Sequence, residues 1–276
     1  MADLCGMKKV VLITGASSGM GKETAKLLLQ SGYTVYGAAR RLDKMADIQG
    51  LGVKTLVMDI TDEGSMTNGI DEIIRVQGRI DVLVNNAGFG SYGAVEDVPL
   101  KEARYQMEVN VFGTARLIQL VLPHMQEQHW GRIINISSIG GKFATPLGGW
   151  YHASKFALEA LSDSLRNEVK RFGIDVVVIE PGGIKTEWAD IAVENLLKIS
   201  GNGKYKAMAD KFAGLMKGQG HRASEPAVIA RLIQKAVESP RPATRYAGGF
   251  MAKPLLFLRK VVSDRMMDRL FMNQLK

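Results

Sequence analysis

The stretch Thr14-Gly15-Ala16-Ser17-Ser18-Gly19-Met20-Gly21 decides the fold of this chain. It follows the apolar run Val10-Val11-Leu12-Ile13, which predicts a buried strand, and it precedes a helical pattern over 21–30. In such a turn Gly15 permits the sharp bend, Gly19 lets a pyrophosphate approach the backbone, and Gly21 allows the helix to pack on the sheet. The helix N-terminus offers free N–H groups to phosphates. The turn therefore predicts a dinucleotide site that includes Ser17, Ser18 and Met20; the alternative is a glycine-rich turn without a ligand.

The rest of the chain alternates short apolar runs with longer amphipathic segments. Helical patterns cover 101–128, 151–171 and 224–238. The strand candidates are 9–13, 33–38, 53–58, 80–84, 132–136, 174–179 and 244–247. Strands that are apolar on both faces and separated by helices indicate a parallel sheet covered on both sides. We therefore expect an α/β protein with a doubly wound Rossmann sheet in one domain over 1–276.

Composition excludes several classes of protein. Lys and Arg outnumber Asp and Glu by 36 to 28, but no run of five basic residues occurs, so nucleic-acid binding is not expected as the main role. No apolar segment reaches the roughly 18 residues of a membrane span. The first apolar run is too short for a secretory signal, and the single Cys5 cannot form an internal disulfide. We expect a cytoplasmic protein without a metal, since no His/Cys/carboxylate cluster has metal-ligand spacing.

The end of the second predicted strand bears on the choice of dinucleotide. A site for NAD usually places an acidic residue there to hold the ribose hydroxyls. This chain has Ala39 followed by Arg40 and Arg41. Guanidinium groups suit a ribose phosphate because they stay charged and donate bidentately, although two surface arginines could also be merely solvated. The sequence favours NADP(H).

Two residues on one predicted helix could carry proton transfer. Tyr151 and Lys155 are four residues apart and so share a helical face. A fixed cation lowers the pKa of a phenol, which can then exchange a proton with a carbonyl or alcohol oxygen. Ser137 and Ser138 end an apolar strand, and Asn110 lies within the predicted helix over 101–128. Polar groups at the carboxyl ends of parallel strands lie where α/β folds bind ligands.

Together these residues resemble the classical short-chain dehydrogenase/reductase family. The matching positions come in the family's order over 14–186, and they include Gly15, Gly19, Gly21, Asp59, Asn86, Ala87, Gly88, Asn110, Ser138, Tyr151, Lys155, Pro181 and Gly182. The glycine spacing excludes the extended-family epimerases, and the Tyr–Lys spacing excludes the enoyl reductases. The resemblance implies a seven-stranded sheet. It also implies a homodimer or homotetramer whose contact helices are 101–128 and 151–171.

The resemblance also implies a role for each matching residue. Tyr151 is the expected acid/base, and Lys155 holds the nicotinamide ribose and tunes the phenol. Ser138, thirteen residues before Tyr151, orients the substrate carbonyl, and Asn110 supports a proton-relay water. The remaining expected cofactor contacts are Asp59 and Ile60 at the adenine, Asn86, Ala87 and Gly88 under the adenosine, Arg40 and Arg41 at the phosphate, and Pro181, Gly182, Ile184 and Thr186 at the nicotinamide.

One segment bears directly on the substrate. Residues 187–222 fall where the family has its substrate loop, and their apolar side chains favour a bulky alcohol or ketone: a steroid, a retinoid or a lipid-like carbonyl. The expected lining residues are Trp188, Ile191, Leu196, Leu197, Met208, Phe212, Leu215 and Met216, with Phe143, Leu147 and Trp150 beside Tyr151. About half of them would simply pack on the sheet.

The tail 251–276 is basic and amphipathic. It carries Leu258, Val262, Met266 and Leu270 at spacings of four. This pattern predicts a helix that covers the pocket or a subunit contact, or else one that touches an anionic membrane. Two rival functions for the whole chain stay open at this point. One is a non-catalytic NADP(H)-binding sensor, which would be expected to lack Tyr151 or Lys155; the other is a basic nucleic-acid scaffold, marked by salt-dependent duplex binding.

Overall fold

Seven parallel strands form the centre of the molecule in a computed structural model that describes residues 8–275. The strand order is β3-β2-β1-β4-β5-β6-β7, with the chain crossing over after β3. The strands are β1 (Val10–Thr14), β2 (Thr34–Ala39), β3 (Lys54–Val57), β4 (Val82–Asn85), β5 (Gly131–Ile136), β6 (Ile174–Pro181) and β7 (Arg245–Gly248). This doubly wound sheet confirms the predicted fold class. Cys5 lies outside the described residues.

Helices cover both faces of the sheet because successive side chains of a strand point to opposite sides. The helices are α1 (Gly19–Gln30), α2 (Ala46–Gly50), α3 (Glu63–Gln77), α4 (Leu100–Met107), α5 (Gly113–Glu127), α6 (Gly149–Val169), α7 (Glu187–Ser200), α8 (Lys206–Gln219), α9 (Ala227–Glu238), α10 (Ala252–Val261) and α11 (Asp264–Gln274). In β1, Leu12 packs in one core with α3, α5 and α6, while Val11 and Ile13 pack in the other with α1, α2 and α9. Within residues 8–275, no helix is both long and apolar enough to cross a membrane.

The predicted continuous helix over 101–128 is wrong in one respect. A five-residue π-helical turn over Glu108–Phe112 separates α4 from α5. Directly after this turn, Gly113 lies against the carbonyl of Ile60, and a Cβ there would overlap that oxygen. The close approach of the β3 loop and the side-chain bonds of Asn110, described below, account for a local break that apolar periodicity cannot indicate.

Two further helix boundaries differ from expectation. Ser224 does not open the helix predicted over 224–238; it pairs with Ile184 in an isolated β-bridge, and α9 begins at Ala227 after Pro226. The tail forms two helices rather than one, with a break at Val262 and Ser263. The break shifts the buried face of α11 to Met267, so Met266 is 56% exposed instead of continuing the apolar stripe of α10.

Residues 187–222 form α7 and α8, which we call the lid. The lid packs in a third apolar cluster, separate from the two cores of the sheet. Its buried members include Val193, Leu196 and Ala213, and they share this cluster with Tyr92 and Tyr151. The lid thus lies over the carboxyl end of the sheet, where the predicted site residues lie.

Candidate active site

The glycine-rich turn leaves the end of β1 in a conformation that suits glycine. Gly15 and Gly19 have φ values of +67° and +53°, in the left-handed region that L side chains rarely adopt. A Cβ on Gly15 would lie 2.9 Å from the Cα of Ala87, and a Cβ on Gly21 would lie 2.5 Å from the carbonyl oxygen of Gly15. Ser18 precedes the first residue of α1 and makes no side-chain cap, so the helix N-terminus is open toward this turn. The turn therefore forms a backbone-lined cradle in which an added side chain has no room.

Asn86 holds this cradle in place from the end of β4. Its Nδ2 donates to the carbonyl oxygens of Thr14 and Gly15, at 3.0 and 3.2 Å. The backbone N–H groups of Asn86 and Ala87 both donate to Thr14 Oγ1 at 3.1 Å. The structure thus brings Asn86 and Ala87 directly beneath the glycine turn, where they fix its shape.

The expected adenosine end lies at the ends of β2 and β3. Ala39 is the last residue of β2, and the exposed Arg40 and Arg41 follow it. Arg40 Nη1 donates to the hydroxyl of Tyr105 at 3.1 Å. Asp59 Oδ1 accepts from the backbone N–H and the hydroxyl of Thr61, at 2.9 and 2.8 Å. Those two bonds hold the turn after β3, which places Asp59 on the same edge of the sheet as the two arginines.

The segment after β6 closes over the glycine turn from the other side. Pro181 is the last residue of β6, and the backbone N–H of Gly182 donates to the carbonyl of Gly248 at 2.8 Å. Ile184 packs on the core that contains Val11 and Ile13 of β1. Thr186 precedes α7, and its Cγ2 lies 2.9 Å from where a Cβ on Gly19 would be. The predicted nicotinamide contacts and the predicted pyrophosphate contacts are therefore neighbours.

Ser138, Tyr151 and Lys155 meet at the end of β5. Tyr151 and Lys155 lie one turn apart in α6, and both are buried. Lys155 Nζ donates to the carbonyl oxygen of Ile136 at 2.9 Å. The expected lowering of the Tyr151 pKa by Lys155 is wrong for this structure: burial raises that pKa to about 12, and the neighbouring Ser138 hydroxyl partly opposes the rise. Burial lowers the pKa of Lys155 to about 8, which the carboxylate of Glu159 partly opposes. The three groups therefore form one enclosed cluster at the end of β5.

Asn110 reaches this set from the π-helical turn. Its amide oxygen accepts from the N–H of Phe89, and its Nδ2 donates to the Phe89 carbonyl, both at 2.8 Å. Nδ2 also donates to Ser154 Oγ at 2.9 Å. A Cβ on Gly88 would lie 3.6 Å from Asn110 Oδ1 and 3.7 Å from Lys155 Nζ. The side chain of Asn110 therefore joins the β4 loop to α6 within reach of the lysine.

Comparison with known proteins identifies this arrangement. The family model for short chain dehydrogenases matches residues 9–196. The chain belongs to the short-chain dehydrogenase family. It is an oxidoreductase fold with a nucleotide-binding Rossmann sheet, as the sequence resemblance implied.

Members of the family resemble the chain along nearly its whole length. It is 38% identical over 265 residues to the 3-ketodihydrosphingosine reductase of Bacteroides thetaiotaomicron, covering 94% of this chain and 95% of that protein. It is 35% identical over 285 residues to the NADPH-dependent 3-dehydrocapnine reductase of Ornithobacterium rhinotracheale, covering 97% and 98%. Among solved structures, a short-chain dehydrogenase from Streptomyces avermitilis matches with a TM-score of 0.81 at 34% identity, covering 93% of each chain.

Aromatic side chains enclose the tyrosine of this dehydrogenase. The ring of Tyr151 lies 5.1 Å from Trp188 and 5.5 Å from Tyr92, measured between centroids. Tyr92 in turn lies 5.7 Å from Phe212 of the lid. Trp188 and Phe212 are among the lining residues that the sequence predicts, whereas Tyr92 is missed because it lies in a loop with no periodic pattern.

The other expected lining residues divide into two groups. Leu147 and Leu196 are buried in the cluster that contains Tyr151, and Leu197, Met208 and Met216 pack against it. Ile191 is 46% exposed, and the ring of Phe143 stacks on Phe271 of α11 at 5.4 Å. An open groove of about 500 Å³ runs outside Leu147; it is lined by Ala94, Val95, Glu96, Pro146, Leu147, Tyr205 and Met208.

His152, the residue after Tyr151 in α6, braces the loop after Ser138 against the start of this helix. The buried His152 ring contacts the Gly140 carbonyl through Nδ1 at 2.9 Å and Thr145 Oγ1 through Nε2 at 3.0 Å. Burial lowers its pKa, so the ring is neutral at pH 7. A buried ring held at both nitrogens fixes the shape of the loop.

A buried ionic cluster around Glu159, one helical turn beyond Lys155, is a feature that the sequence does not reveal. Glu159 Oε2 accepts from Lys142 at 2.6 Å and from Arg245 at 3.0 Å. Arg245 also bonds Asp163 at 2.7 Å and lies 3.4 Å from Glu180. The residues are scattered over α6, β6, β7 and a loop. The one local signal is the i, i+4, i+8 series of Tyr151, Lys155 and Glu159.

Proposed function

We propose that this dehydrogenase is an NADPH-dependent reductase of a ketone on a long-chain, lipid-like substrate. The observation that carries the proposal is the placement of the buried Tyr151 phenol, with Ser138 and Lys155, at the end of the sheet that bears the glycine cradle. The phenol is the proton donor. A carbonyl that reached it would come to lie beside the cofactor that such a cradle accepts.

The chain's own residues supply the proton half of the reaction. Bound NADPH would supply a hydride to the carbonyl carbon. Because the pKa of Tyr151 is raised to about 12, the phenol keeps its proton at neutral pH and can give it to the carbonyl oxygen. Ser138 donates a hydrogen bond to that oxygen and fixes its position. Lys155 stays charged below its pKa of about 8 and favours the phenolate left behind. These protonation states suit proton donation to a carbonyl oxygen at neutral pH.

The cofactor assignment rests on fit and on charge. The cradle has no room for a Cβ at Gly15 or Gly21, as expected where a pyrophosphate approaches the backbone. Arg40 and Arg41 are exposed at the end of β2, where a 2′-phosphate would lie. The last residue of β2 is Ala39, whereas NAD sites typically have an acidic residue there. The Ornithobacterium relative is named as NADPH-dependent. We assign the pyrophosphate to residues 15–21, the ribose phosphate to the arginines and the nicotinamide to residues 181–186.

The substrate class follows from the apolar surroundings of Tyr151. Tyr92 and Trp188 pack on the phenol, Phe212 packs on Tyr92, and an open groove of about 500 Å³ with a mainly apolar lining lies outside Leu147 of the same cluster. The two relatives are named for 3-ketodihydrosphingosine and 3-dehydrocapnine. We assign the lid, within 187–222, to substrate enclosure, and we prefer a long-chain ketone to a steroid or retinoid.

We also propose that the protein works as a homo-oligomer in the cytoplasm. Phe112, next to α5, is 57% exposed, and Phe156 of α6 is 45% exposed. Large apolar side chains at these positions suit the contact helices expected from the family. A lower mass than a dimer in light scattering would contradict this assembly.

The test is NADPH oxidation with 3-ketodihydrosphingosine in detergent, a short-chain ketone and a hydroxysteroid ketone in parallel. We expect turnover that is strongest with the long-chain ketone, much weaker with NADH, and lost in Tyr151→Phe while NADPH binding is retained. Tight NADPH binding without turnover of any ketone would favour a sensor instead of a reductase. Preference for the steroid would keep the reaction class and change the substrate.

A further inference from the structure

The last two helices present an apolar face to solvent. Across residues 8–275, sixteen large apolar side chains are exposed, and six of them lie in this short segment: Met251, Phe257, Val261, Met266, Leu270 and Met272. Phe257 and Val261 are four residues apart in α10 and are 67% and 61% exposed. Such a concentration of exposed apolar side chains in one short segment is typical of a contact site.

Cations flank the apolar side chains on both helices. Lys253, Phe257, Lys260 and Val261 follow the i, i+4, i+7, i+8 spacing of one helical face. In α11, Arg269 lies between Met266 and Met272 in sequence, and Arg265 shares their side of the helix, away from the buried Met267. Lysine and arginine stems extend along apolar surface while their charges stay at its edge.

The charge of this face is available to a partner. Lys253, Lys260, Arg265 and Arg269 form no ion pair with any residue between 8 and 275. The only anion left to offset them in this segment is Asp268, since Arg259 pairs with Asp264 at 2.8 Å. A face with exposed aromatic and aliphatic side chains among free cations complements an anionic lipid surface, into which the side chains insert while the cations meet headgroups.

The face packs against the loop that follows Ser138. Phe271 of α11 stacks on Phe143, and Arg259 of α10 donates to the carbonyl oxygen of Lys142 at 3.2 Å. Phe143 and Lys142 follow Ser138 by a few residues. Arg259 also joins the two helices across their break through its pair with Asp264. A surface held by α10 and α11 is therefore held against the segment that carries the catalytic serine.

We propose that α10 and α11 dock the protein on anionic membrane surfaces. The proposal rests on the proposed function in one respect: docking places the reductase where a long-chain ketone is dissolved. The bound state is peripheral and reversible, because only a few side chains enter the lipid.

The test is co-flotation with vesicles of phosphatidylcholine alone or with about one third phosphatidylglycerol, at low and at high salt. We expect binding to the anionic vesicles only, and loss of binding at high salt. Since each basic residue near an anionic surface contributes about fivefold, Lys260→Ser with Arg269→Ser should weaken binding about thirtyfold. Phe257→Ser with Val261→Ser should also release the protein.

Matched controls lie elsewhere on the surface. Leu51→Ser removes an apolar side chain that is 59% exposed, and Lys170→Ser removes an exposed cation; both should leave binding unchanged. Every variant should keep wild-type turnover of a short-chain soluble ketone, which shows that the fold is intact. The proposal would be overturned if the control variants lost as much vesicle binding as the test variants. Equal binding of wild type to vesicles made only of phosphatidylcholine would overturn it as well.

Membrane docking, a contact between copies of the chain and the reductase activity give different results. If the face is a contact between copies, Phe257→Ser will lower the mass in light scattering and wild type will not float, which overturns docking. If wild type reduces the long-chain ketone in detergent but does not float, docking fails and the proposed function stands. Flotation without any ketone turnover would leave docking intact and refute the reductase.

Discussion

Replacing Glu159 with Gln tests how the buried ionic cluster acts on Lys155, which we assign to proton transfer. Glu159 is 4% exposed and lies one turn after Lys155 in α6. Burial lowers the pKa of Lys155 to about 8, and the charge of Glu159 opposes that shift. Glutamine keeps the size of the side chain and removes the charge. The pKa of Lys155 should therefore fall further.

The size of the shift follows from geometry. Residues four apart on a helix have Cβ atoms about 6 Å apart, and at an effective dielectric constant of about 20 one unit charge at that distance is worth about 3 kcal/mol, or about two pKa units. Lys142 and Arg245 hold Glu159 at 2.6 and 3.0 Å and offset most of its field. Burial and the charge of Glu159 both raise the pKa of Glu180, while Lys142 and Arg245 oppose that rise, so the same two cations also face a second carboxylate. We expect a net fall of about 0.5 to 1 unit.

The direction of this pKa shift can be measured in the pH profile of ketone reduction. Lys155 is active as the ammonium, so kcat/KM declines as pH rises through its pKa, and Glu159→Gln should move this alkaline limb to lower pH by about 0.5 to 1 unit. The matched control is Asp163→Asn, because Asp163 also bonds Arg245 but is half-exposed. An unmoved limb, or an equal shift in both variants, would refute a direct field of Glu159 on Lys155.

Three further substitutions test the cofactor and substrate assignments. Arg40→Ala should raise the KM for NADPH about 10- to 100-fold, the loss of about 1.5–3 kcal/mol of charged hydrogen bonding, and leave the KM for NADH unchanged in steady-state assays. Gly19→Ala should weaken NADPH binding at least tenfold in fluorescence titration, because a left-handed alanine costs about 1–2 kcal/mol and its Cβ meets Thr186; unchanged affinity would show that the cradle relaxes. Trp188→Ala should reduce the kcat/KM preference for long-chain over short-chain ketones about tenfold, since one aromatic contact is worth about 1.4 kcal/mol; a preserved ratio would exclude Trp188 from substrate selection.

The sheet was predictable because its signals are local. Apolar runs bounded by glycine and polar residues located all seven strands to within a few residues, and Gly15 and Gly19 stand where the turn needs positive φ. Ser138 was predictable because it follows β5 at the carboxyl edge of the sheet, and Tyr151 and Lys155 because their spacing of four places them one turn apart in α6. In these cases the local backbone conformation depends directly on the type of residue at that position.

Features that depend on contacts between distant segments could not be predicted in this way. The π-helical turn at Asn110 depends on the backbone of Phe89 and on the approach of Ile60 to Gly113. The cluster around Glu159 joins residues up to 103 positions apart, from Lys142 to Arg245. The break in the tail moved Met266 to the surface, because the period of an apolar pattern cannot indicate where a helix restarts.

The shared packing of the lid and Tyr151 has a consequence for how substrates are selected. Tyr151 belongs to the same apolar cluster as Val193, Leu196 and Ala213 of the lid. If α7 and α8 lift to admit a substrate, the phenol loses these neighbours and water reaches it, so the burial that raises its pKa is lost. A ligand that lets the two helices pack again restores those surroundings. Discrimination between ketones should then appear in the rate of the chemical step rather than in how tightly each one is held.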